Sequence, residues 1–394
     1  MSKRLVHTPE GVRDIYGAEF QLKTACEQEI HKVLHTYGYQ DIQTPTFEFF
    51  DVFGKEIGTT PSKELYKFFD KEGNTLVLRP DFTPSIARCA AKYYIDTDVP
   101  VRFCYKGNAF SNTSNLQGKL KEVTEMGAEL IGDNSINADA EMIAMCIKAL
   151  LDTGLVNFQV SIGEVEYIKG LCAQAGLDDE TEMELRDLIS MKNFFGAQDL
   201  LERSSVIENC REALLHVSDL FGQAEILNEA KKYAYNSVSM DAITRLEQLY
   251  EVLCAYGVEK YVSFDLGMVS KYNYYTGIIF KVYTYGVGDA IVKGGRYDRL
   301  LEKFGKQAPA IGFMVVIDAL TTALKAAGIT PAPGKQNLAL LYREQEWKDA
   351  IAKANELRAD GANVSMIPYG TDNKEEILTF IQESGQMPYI LEES

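Results

Sequence analysis

Three short segments in the second half of the chain decide the fold: Asn273-Tyr-Tyr-Thr-Gly-Ile-Ile-Phe-Lys281, Gly294-Gly-Arg-Tyr-Asp298 and Pro309-Ala-Ile-Gly-Phe313. Apolar runs bounded by turn residues predict strands at Ile278–Tyr283 and Ala290–Val292. A glycine-containing stretch between these two strands suits a hairpin turn. The glycine pair of the second segment allows the backbone to approach a bound ligand closely. This region therefore predicts a β-hairpin beside a pocket.

Helices and strands are mixed along the chain that precedes these segments. One helix is predicted at about 17–37, and a second at 138–152 with Asn137 as its N-cap. Residues from about 164 to 259 are rich in Leu, Glu and Ala, which predicts a helical insert. Strands are predicted at 41–46, 76–79, 101–108, 121–131, 156–162 and 261–268. Together these elements predict an α+β domain with a mostly antiparallel sheet.

The end of the chain is predicted to form a separate small module. Gly328-Ile-Thr-Pro-Ala-Pro-Gly334 has the composition of a linker. The residues after it alternate strand, helix, strand, helix and strand with short connections, which is typical of a small α/β module. The sequence therefore predicts two domains, residues 1–327 with the insert at about 164–259, and residues 335–394.

The charge of the chain bears on nucleic-acid binding. Its 394 residues include 57 Asp and Glu against 40 Lys and Arg, which gives a net charge of −17. Affinity for RNA depends on basic side chains that neutralise phosphates and release counterions. The C-terminal residues also lack an interleaved basic and aromatic stripe on which bases could stack. The composition therefore argues against tRNA as a partner.

Hydropathy and reactive side chains exclude other classes of protein. No apolar run approaches the ~20 residues that cross a bilayer, and no apolar segment follows the basic start, so a cytoplasmic protein is expected. The seven cysteines are scattered singly, which is typical of reduced thiols. His31 and His35 lie one helical turn apart, but Lys32 stands where a zinc protease has Glu. Neither a metal site nor a cofactor is therefore expected.

Segments of the amino-terminal part are similar to those of a known family. Thr8-Pro-Glu-Gly-Val-Arg-Asp14 resembles the opening of class II histidyl-tRNA synthetases, and Tyr37–Pro45 resembles their motif 1, which builds a dimer interface. Leu78-Arg-Pro-Asp-Phe-Thr83 and the three segments after residue 272 resemble their histidine-pocket signatures. The resemblance covers about residues 8–320, weakly at 164–259. It implies a class II synthetase-like antiparallel sheet core, a helical insert and a homodimer.

Cationic residues that this family uses for adenylate formation are replaced here. The reaction requires positive charge on the triphosphate as charge moves toward pyrophosphate. By the resemblance, Ser111 replaces the arginine of motif 2 and Thr113 replaces its glutamate. Ala319 replaces an arginine of motif 3, and Ser270 replaces the arginine ahead of the tyrosine pair. Loss of one such contact typically costs ~10²–10³ in rate. The chain is therefore predicted to have lost aminoacylation and to contain no catalytic residue.

Residues that bind histidine in the family are better retained. The candidates implied by the resemblance are Asp81, Thr83, Glu125, Glu129, Tyr274, Tyr275 and Arg296. Asp81 and Thr83 match the acid and hydroxyl that hold the ammonium group of histidine. Glu125 and Glu129 match a Gln and a Glu on the strand after motif 2, and the two tyrosines match the pair that contacts the imidazole. Arg296 is a candidate for organising the nearby acids. Glu125 and Ser270 remove two contacts to the ligand carboxylate, for which Lys271 is a candidate replacement. A ligand-binding pocket and a filled, inert one both remain open.

A synthetase-like body without these cations most closely resembles the regulatory subunits of short-form ATP phosphoribosyltransferase. Residues 335–394 resemble only part of an anticodon-binding domain. The resemblance implies a non-catalytic subunit that assembles with a separate catalytic subunit, enables the first step of histidine biosynthesis and mediates feedback by histidine. Two alternatives stay open: an active histidyl-tRNA ligase, and a stand-alone sensor of tRNA or of an amino acid.

Overall fold

The computed structural model describes residues 6–54, 60–113, 120–268, 274–329, 337–370 and 373–391. The chain divides into two units. One comprises Met1–Arg13 and Glu29–Ala327, and the other comprises Asp14–Gln28 and Gly328–Ser394. The sequence does not predict that residues 14–28 group with the C-terminal residues. The predicted domain organisation stays a prediction.

Twelve α-helices lie within the described ranges. They are α1 (Gly17–Thr36), α2 (Thr83–Tyr93), α3 (Ile136–Asp152), α4 (Val165–Gln174), α5 (Asp179–Ser190), α6 (Phe194–Arg203), α7 (Glu208–His216), α8 (Ile226–Lys231), α9 (Ser237–Ala255), α10 (Ile317–Ala326), α11 (Trp347–Ala359) and α12 (Lys374–Glu383). Helices α4 to α9 form the predicted helical insert, which a short strand interrupts. Across the described ranges, no helix has both the length and the apolar character that a membrane span requires.

Fifteen strands are found in the same described residues. They are β1 (Gln40–Asp41), β2 (Phe47–Phe49), β3 (Lys67–Phe69), β4 (Thr75–Leu78), β5 (Val101–Phe110), β6 (Glu122–Ile131), β7 (Phe158–Glu164), β8 (Phe221–Gly222), β9 (Val262–Asp265), β10 (Ile278–Thr284), β11 (Val292–Arg296), β12 (Ala310–Val316), β13 (Asn337–Arg343), β14 (Asn363–Tyr369) and β15 (Met387–Ile390).

A large sheet, here called the central sheet, forms the core of the first unit. Its strand order is β1-β5-β6-β12-β11-β10-β7-β9-β8. Every neighbouring pair is antiparallel except β1 with β5 and β7 with β9. The predicted α+β class with a mostly antiparallel sheet is confirmed. A second small sheet has the order β2-β4-β3.

Helix α3 packs against β12 and α9 and supplies much of the core behind the central sheet. Ile143, Ile147 and Leu150 repeat at helical spacing and are fully buried. Each such side chain contributes about 1.5–3 kcal/mol to the free energy of unfolding. The helix begins earlier than predicted, because Ser135 and not Asn137 is the N-cap, and its hydroxyl accepts a hydrogen bond from the Ala138 N–H at 3.2 Å.

Two predicted strands are misplaced. The predicted strand at 41–46 is wrong, because Pro45 lacks an N–H and the guanidinium of Arg79 occupies the carbonyls of Thr44 and Pro45. The predicted strand at 290–292 lies at 292–296 instead. Its two central glycines have no side chains, so the alternation that reveals a strand is missing there.

The C-terminal residues form the predicted α/β module. Strand β13 lies between β14 and β15, and both pairs are parallel. Helix α11 contacts β13 and β14, and α12 contacts β15. Ala339, Leu341 and Ile381 form its buried apolar cluster.

Candidate functional site

A cleft opens on one face of the central sheet, above β6, β12 and β11. Its free space is about 310 Å³, including the part open to solvent. The lining residues, which define the central cleft, are Asp81, Thr83, Glu129, Tyr274, Tyr275, Lys293, Gly295, Tyr297, Gly312, Phe313 and Met314. Five of the seven residues predicted from the sequence are among them.

Glycines on β12 and β11 form the floor of the central cleft. Gly312 stands opposite Glu129 on one side and Gly295 on the other. A Cβ atom at Gly312 would overlap the Glu129 carboxylate, and one at Gly295 would lie 2.7 Å from Cε1 of Tyr275. The missing side chains therefore make the space in which the carboxylate and the phenol ring lie across the sheet.

Glu129 is the buried acid at the centre of the cleft. The hydroxyl of Thr83 donates to its Oε1 at 2.8 Å, and the hydroxyl of Tyr297 donates to its Oε2 at 2.5 Å. Only 1% of Glu129 is exposed. Burial raises the pKa of Glu129 to about 8, although both hydrogen bonds favour the charged form. Burial therefore favours the protonated form of this carboxyl, and a ligand with a positive or N–H-donating group would favour its ionisation.

The start of α2 directs an acid and a hydroxyl toward the cleft. Thr83 is the first residue of the helix, and Pro84 follows in the first turn, where a proline displaces no hydrogen bond. The Thr83 N–H donates to Oδ1 of Asp81 at 3.0 Å, and the hydroxyl of Tyr274 donates to its Oδ2 at 3.3 Å. Burial raises the pKa of Asp81. Both groups are thus held in place before any ligand binds.

Three tyrosines line an aromatic side of the cleft. The ring centroids of Tyr274 and Tyr275 are 4.8 Å apart, and Tyr297 meets Tyr274 edge-on at 6.0 Å. Aromatic pairs at these separations contribute ~0.5–1.5 kcal/mol beyond their buried area. The rings therefore form a fixed surface against which a flat ligand group can pack.

Glu125 does not line the cleft, although it lies four residues before Glu129 on the same strand. Its side chain is buried, and Oε2 has no hydrogen-bond partner within the part of the chain that the structure describes. Burial and the charge of Asp81 raise the pKa of Glu125 to about 8, against a smaller opposite effect of Lys293. Its predicted contact with histidine stays a prediction.

Arg296 is not brought to the cleft either. Its guanidinium binds Asp139 through Nε at 2.8 Å and through a second nitrogen at 2.5 Å, and binds Asp298 at 3.1 Å. Arg245 contacts the other oxygen of Asp139. Arg296 thus contacts the nearby acids Asp139 and Asp298, because alternation along β11 turns it away from Gly295 and toward α3. Its predicted part in a histidine pocket stays a prediction.

Lys293 and Tyr297 are two polar lining residues that are not among the predicted candidates. Lys293 and Tyr297 share a face with Gly295, because residues two apart in a strand point the same way. That spacing was visible in the sequence and could have identified them. Lys293 is the only basic residue among the described residues that line the cleft, and its Nζ lies 3.3 Å from Oδ2 of Asp289.

The positions of the replaced cations are partly visible. The N–H of Ser111 donates to the carbonyl of Lys121 at 2.9 Å just after β5, and Ala319 lies in the first turn of α10. Thr113 is also described, and none of the three is among the lining residues of the central cleft. Ser270, Lys271 and Asn273 lie outside the described residues.

Comparison with known proteins places this site in a family. The family model of histidyl-tRNA synthetase matches residues 11–320. The ATP phosphoribosyltransferase regulatory subunit of Acetivibrio thermocellus is 42% identical over 94% of this chain and 89% of its own length. That of Clostridium kluyveri is 37% identical over 94% and 95%. The chain belongs to the family of ATP phosphoribosyltransferase regulatory subunits.

Solved structures agree with this regulatory-subunit family. A protein of Bacillus halodurans named ATP phosphoribosyltransferase regulatory subunit/histidyl-tRNA synthetase is 31% identical, covers 99% of both chains and has a TM-score of 0.86. Histidyl-tRNA synthetase from Nostoc, at 18% identity and a TM-score of 0.80, shares the fold. The predicted class II synthetase-like fold is confirmed. The relatives are named as regulatory subunits, which confirms the prediction of a regulatory and not a catalytic type of subunit.

The regulatory-subunit fold should lose stability as Glu125 ionises. Its folded pKa of about 8 exceeds its ordinary value of 4.5, so the folded chain holds a proton that the unfolded chain releases. This contribution to the free energy of unfolding is full below about pH 4.5 and is lost as pH rises through about 8. We expect Glu125→Gln to remove about one proton from the pH dependence of urea unfolding. Relative to wild type, the free energy of unfolding of the variant should therefore gain on the order of 3–4 kcal/mol between pH 5 and pH 8.

The control for this experiment is Glu122→Gln on the same strand. Glu122 is only partly buried and accepts a hydrogen bond from Asn108 at 2.6 Å. It should keep the wild-type pH profile. An unchanged profile in Glu125→Gln would show that its buried carboxyl does not titrate in this window.

Proposed function

We propose that this chain is the regulatory subunit of a short-form ATP phosphoribosyltransferase and that its central cleft binds histidine as a feedback effector. The observation that carries this proposal is the set of buried, pre-positioned acids and tyrosines that line one cleft. A separate catalytic subunit would bind ATP and phosphoribosyl pyrophosphate. This chain would enable the first step of histidine biosynthesis without contributing a catalytic group.

The polar groups of the cleft match two ends of histidine. Its ammonium group would meet Asp81 and Thr83, which the start of α2 holds together. Its imidazole N–H would donate to Glu129 and pack against Tyr275, and the arriving donor would favour ionisation of the Glu129 carboxyl. Hydrogen bonds to charged groups contribute ~1.5–3 kcal/mol each, which is a large share of the affinity of a small ligand.

Lys293 offers a partner for the third group, the carboxylate. Its ammonium group is a lining cation in a cleft that otherwise contains acids, and Asp289 shares it at 3.3 Å. Asp289 is 63% exposed, so water can replace Lys293 at that carboxylate when a ligand arrives. We therefore assign to Lys293 the recognition that the family's lost arginine and glutamine would have supplied.

Ligase activity is disfavoured by the missing positive charge. Ser111 and Ala319 are neutral, and each stands where the family has an arginine for the triphosphate. Electrostatic stabilisation of developing charge is commonly the largest catalytic contribution, so the loss of two such groups is severe. The net charge of −17 further disfavours a sensor of tRNA, whose affinity depends on basic contacts.

Assembly and location follow from the same proposal. The motif 1 resemblance at 37–45 supports a homodimer with a two-fold interface, to which catalytic subunits would add. Such a complex would work in the cytoplasm, where its substrates are made. Allosteric coupling of ~1–3 kcal/mol between the cleft and the partner would convert occupancy by histidine into a 5–150-fold change in partner activity.

Reconstitution tests this function. We expect the purified chain to be a dimer by light scattering, and to give turnover of ATP and phosphoribosyl pyrophosphate only when the catalytic subunit is added. Histidine should inhibit that turnover. A catalytic subunit that is fully active and inhibited by histidine without this chain would refute the proposal.

Binding of ATP provides a separate test. Because residues 111 and 319 supply no cation, calorimetry of the isolated chain with ATP and magnesium should show no measurable binding. Ser111→Arg with Ala319→Arg should still not restore ligation, since Thr113 and Ser270 remain. Histidine-dependent pyrophosphate exchange by the wild-type chain would instead establish the ligase alternative.

A further inference from the structure

Four metal-binding side chains meet on the face of the central sheet opposite the cleft. His31 and His35 lie one turn apart on α1, Asp41 ends β1, and Cys104 lies on β5. Cys104 points away from the cleft because it alternates with Tyr105, which faces Gly127 and the cleft side. All four residues belong to the first unit.

The distances between the ligand atoms are short. Nε2 of His31 lies 2.8 Å from Oδ1 of Asp41, and Nε2 of His35 lies 3.0 Å from Oδ2. The thiol of Cys104 donates to Oδ1 of Asp41 at 3.5 Å. The four ligand atoms all lie within 4.8 Å of one another.

These separations are close to those of a four-coordinate zinc site. Zinc binds His nitrogen and carboxylate oxygen at about 2.0–2.2 Å and Cys sulfur at about 2.3 Å, so tetrahedral ligand atoms lie roughly 3.3–3.7 Å apart. The separations between the four ligand atoms, from 2.8 Å to at most 4.8 Å, span these values. Side-chain rotations that move each atom by about an ångström would bring all of the separations to tetrahedral values. In the single chain the ring of His35 is 45% exposed and the carboxylate of Asp41 is 61% exposed, which provides freedom to adjust and lets the ion bind before the proposed dimer forms through residues 37–45.

We propose that His31, His35, Asp41 and Cys104 form a structural zinc site. Two imidazoles and a thiolate are ligands that select zinc over magnesium or calcium. Four protein ligands would close the coordination sphere, as in structural and not catalytic zinc sites. The ion would tie α1 to the first two strands of the central sheet.

The sequence pattern did not reveal this cluster because its fourth member, Cys104, is distant in sequence from the other three. Asp41 and Cys104 are 63 residues apart, and they meet only because β1 pairs with β5 in register at these two residues. The expectation of no metal rested on Lys32, which excludes one local motif of zinc proteases but not a site assembled by the sheet.

Cobalt and zinc titrations test the proposal. The chain is prepared without a histidine tag and stripped with a chelator, and cobalt is followed by absorption spectroscopy. One cobalt ion per chain should give the intense bands of tetrahedral coordination with a thiolate-to-metal charge-transfer band, and zinc should displace it. Zinc should also raise the melting temperature.

Variants identify the ligands. Cys104→Ser should lose the charge-transfer band. His35→Gln, a change at an exposed ring, should weaken cobalt binding at least about 100-fold, since losing even a hydrogen-bond partner of a metal ligand costs 10–100-fold. His216→Gln is the matched control, because it removes a histidine that pairs with Asp219 elsewhere, and it should behave as wild type. A wild-type spectrum without the charge-transfer band, or binding equal in wild type and His35→Gln, would overturn the assignment.

Discussion

Replacement of Glu129 by glutamine is expected to raise the histidine concentration that half-inhibits the assembled complex by about 10–100-fold. Glutamine keeps the size of the side chain, but its single carbonyl oxygen can accept from only one of the hydroxyls of Thr83 and Tyr297, and it cannot become negative. The charge-assisted contribution lost is ~1.5–3 kcal/mol, at 1.4 kcal/mol for each factor of ten. Inhibition is measured as a fraction of the uninhibited rate of each complex, so that changes in basal turnover are separated from changes in sensing.

Two further variants define the meaning of this result. Tyr275→Phe removes one hydroxyl from the aromatic side and should weaken inhibition less than Glu129→Gln. Glu122→Gln lies on the same strand outside the cleft and should leave inhibition unchanged. If Glu129→Gln and Tyr275→Phe both retain wild-type inhibition, the cleft is inert and histidine is sensed elsewhere.

Arg296→Met is expected to lower the free energy of unfolding of the first unit by about 3–5 kcal/mol. Arg296 is 2% exposed and Asp139 is fully buried, so removal of the guanidinium leaves a buried carboxylate with Arg245 alone. Loss of one partner of a buried ion pair is costly, because the remaining charge stays desolvated. Urea unfolding is followed by circular dichroism, since the single tryptophan, Trp347, lies in the C-terminal unit.

Two comparisons separate burial from charge in this experiment. Arg203→Met breaks an exposed pair with Asp199 and should cost no more than ~1 kcal/mol. The double variant Arg296→Met with Asp139→Leu should be more stable than Arg296→Met alone, because it removes the fully buried carboxylate. Arg245 also loses Asp139, but it is 25% exposed and keeps the carbonyl of Asn134. Equal losses in Arg296→Met and Arg203→Met would show that this ion pair does not stabilise the fold.

The parts of the fold and site that the sequence predicted are those with a local pattern. Helix α12 and the strands of the C-terminal module follow the apolar periodicity, and Asp81 and Thr83 lie in a short motif that fixes them at the start of α2. Glu125 and Glu129 share a face by their spacing. The spacing does not distinguish them, because their difference arises from neighbours: Gly312 makes room for Glu129, and no hydroxyl reaches Oε2 of Glu125 among the described residues.

Features that depend on distant pairing were predicted poorly. Arg296 was predicted to organise nearby acids, but the sequence did not identify Asp139, which lies 157 residues earlier on α3, as one of them. The sequence around Lys293 does not distinguish it from a surface lysine. Only the pairing of β11 with β12 places it beside the central cleft. The group around Asp41 requires the pairing of β1 with β5. Local composition does not determine which distant strands pair or in which register, so these contacts could be identified only from the structure.

The structure of the assembled complex, determined in the presence of an inhibitory concentration of histidine, would decide where the effector binds. We predict histidine in the central cleft, with its ammonium group at Asp81, its imidazole at Glu129 and its carboxylate at Lys293. Histidine found at the junction with the catalytic subunit, with the cleft empty, would contradict the proposed sensing site.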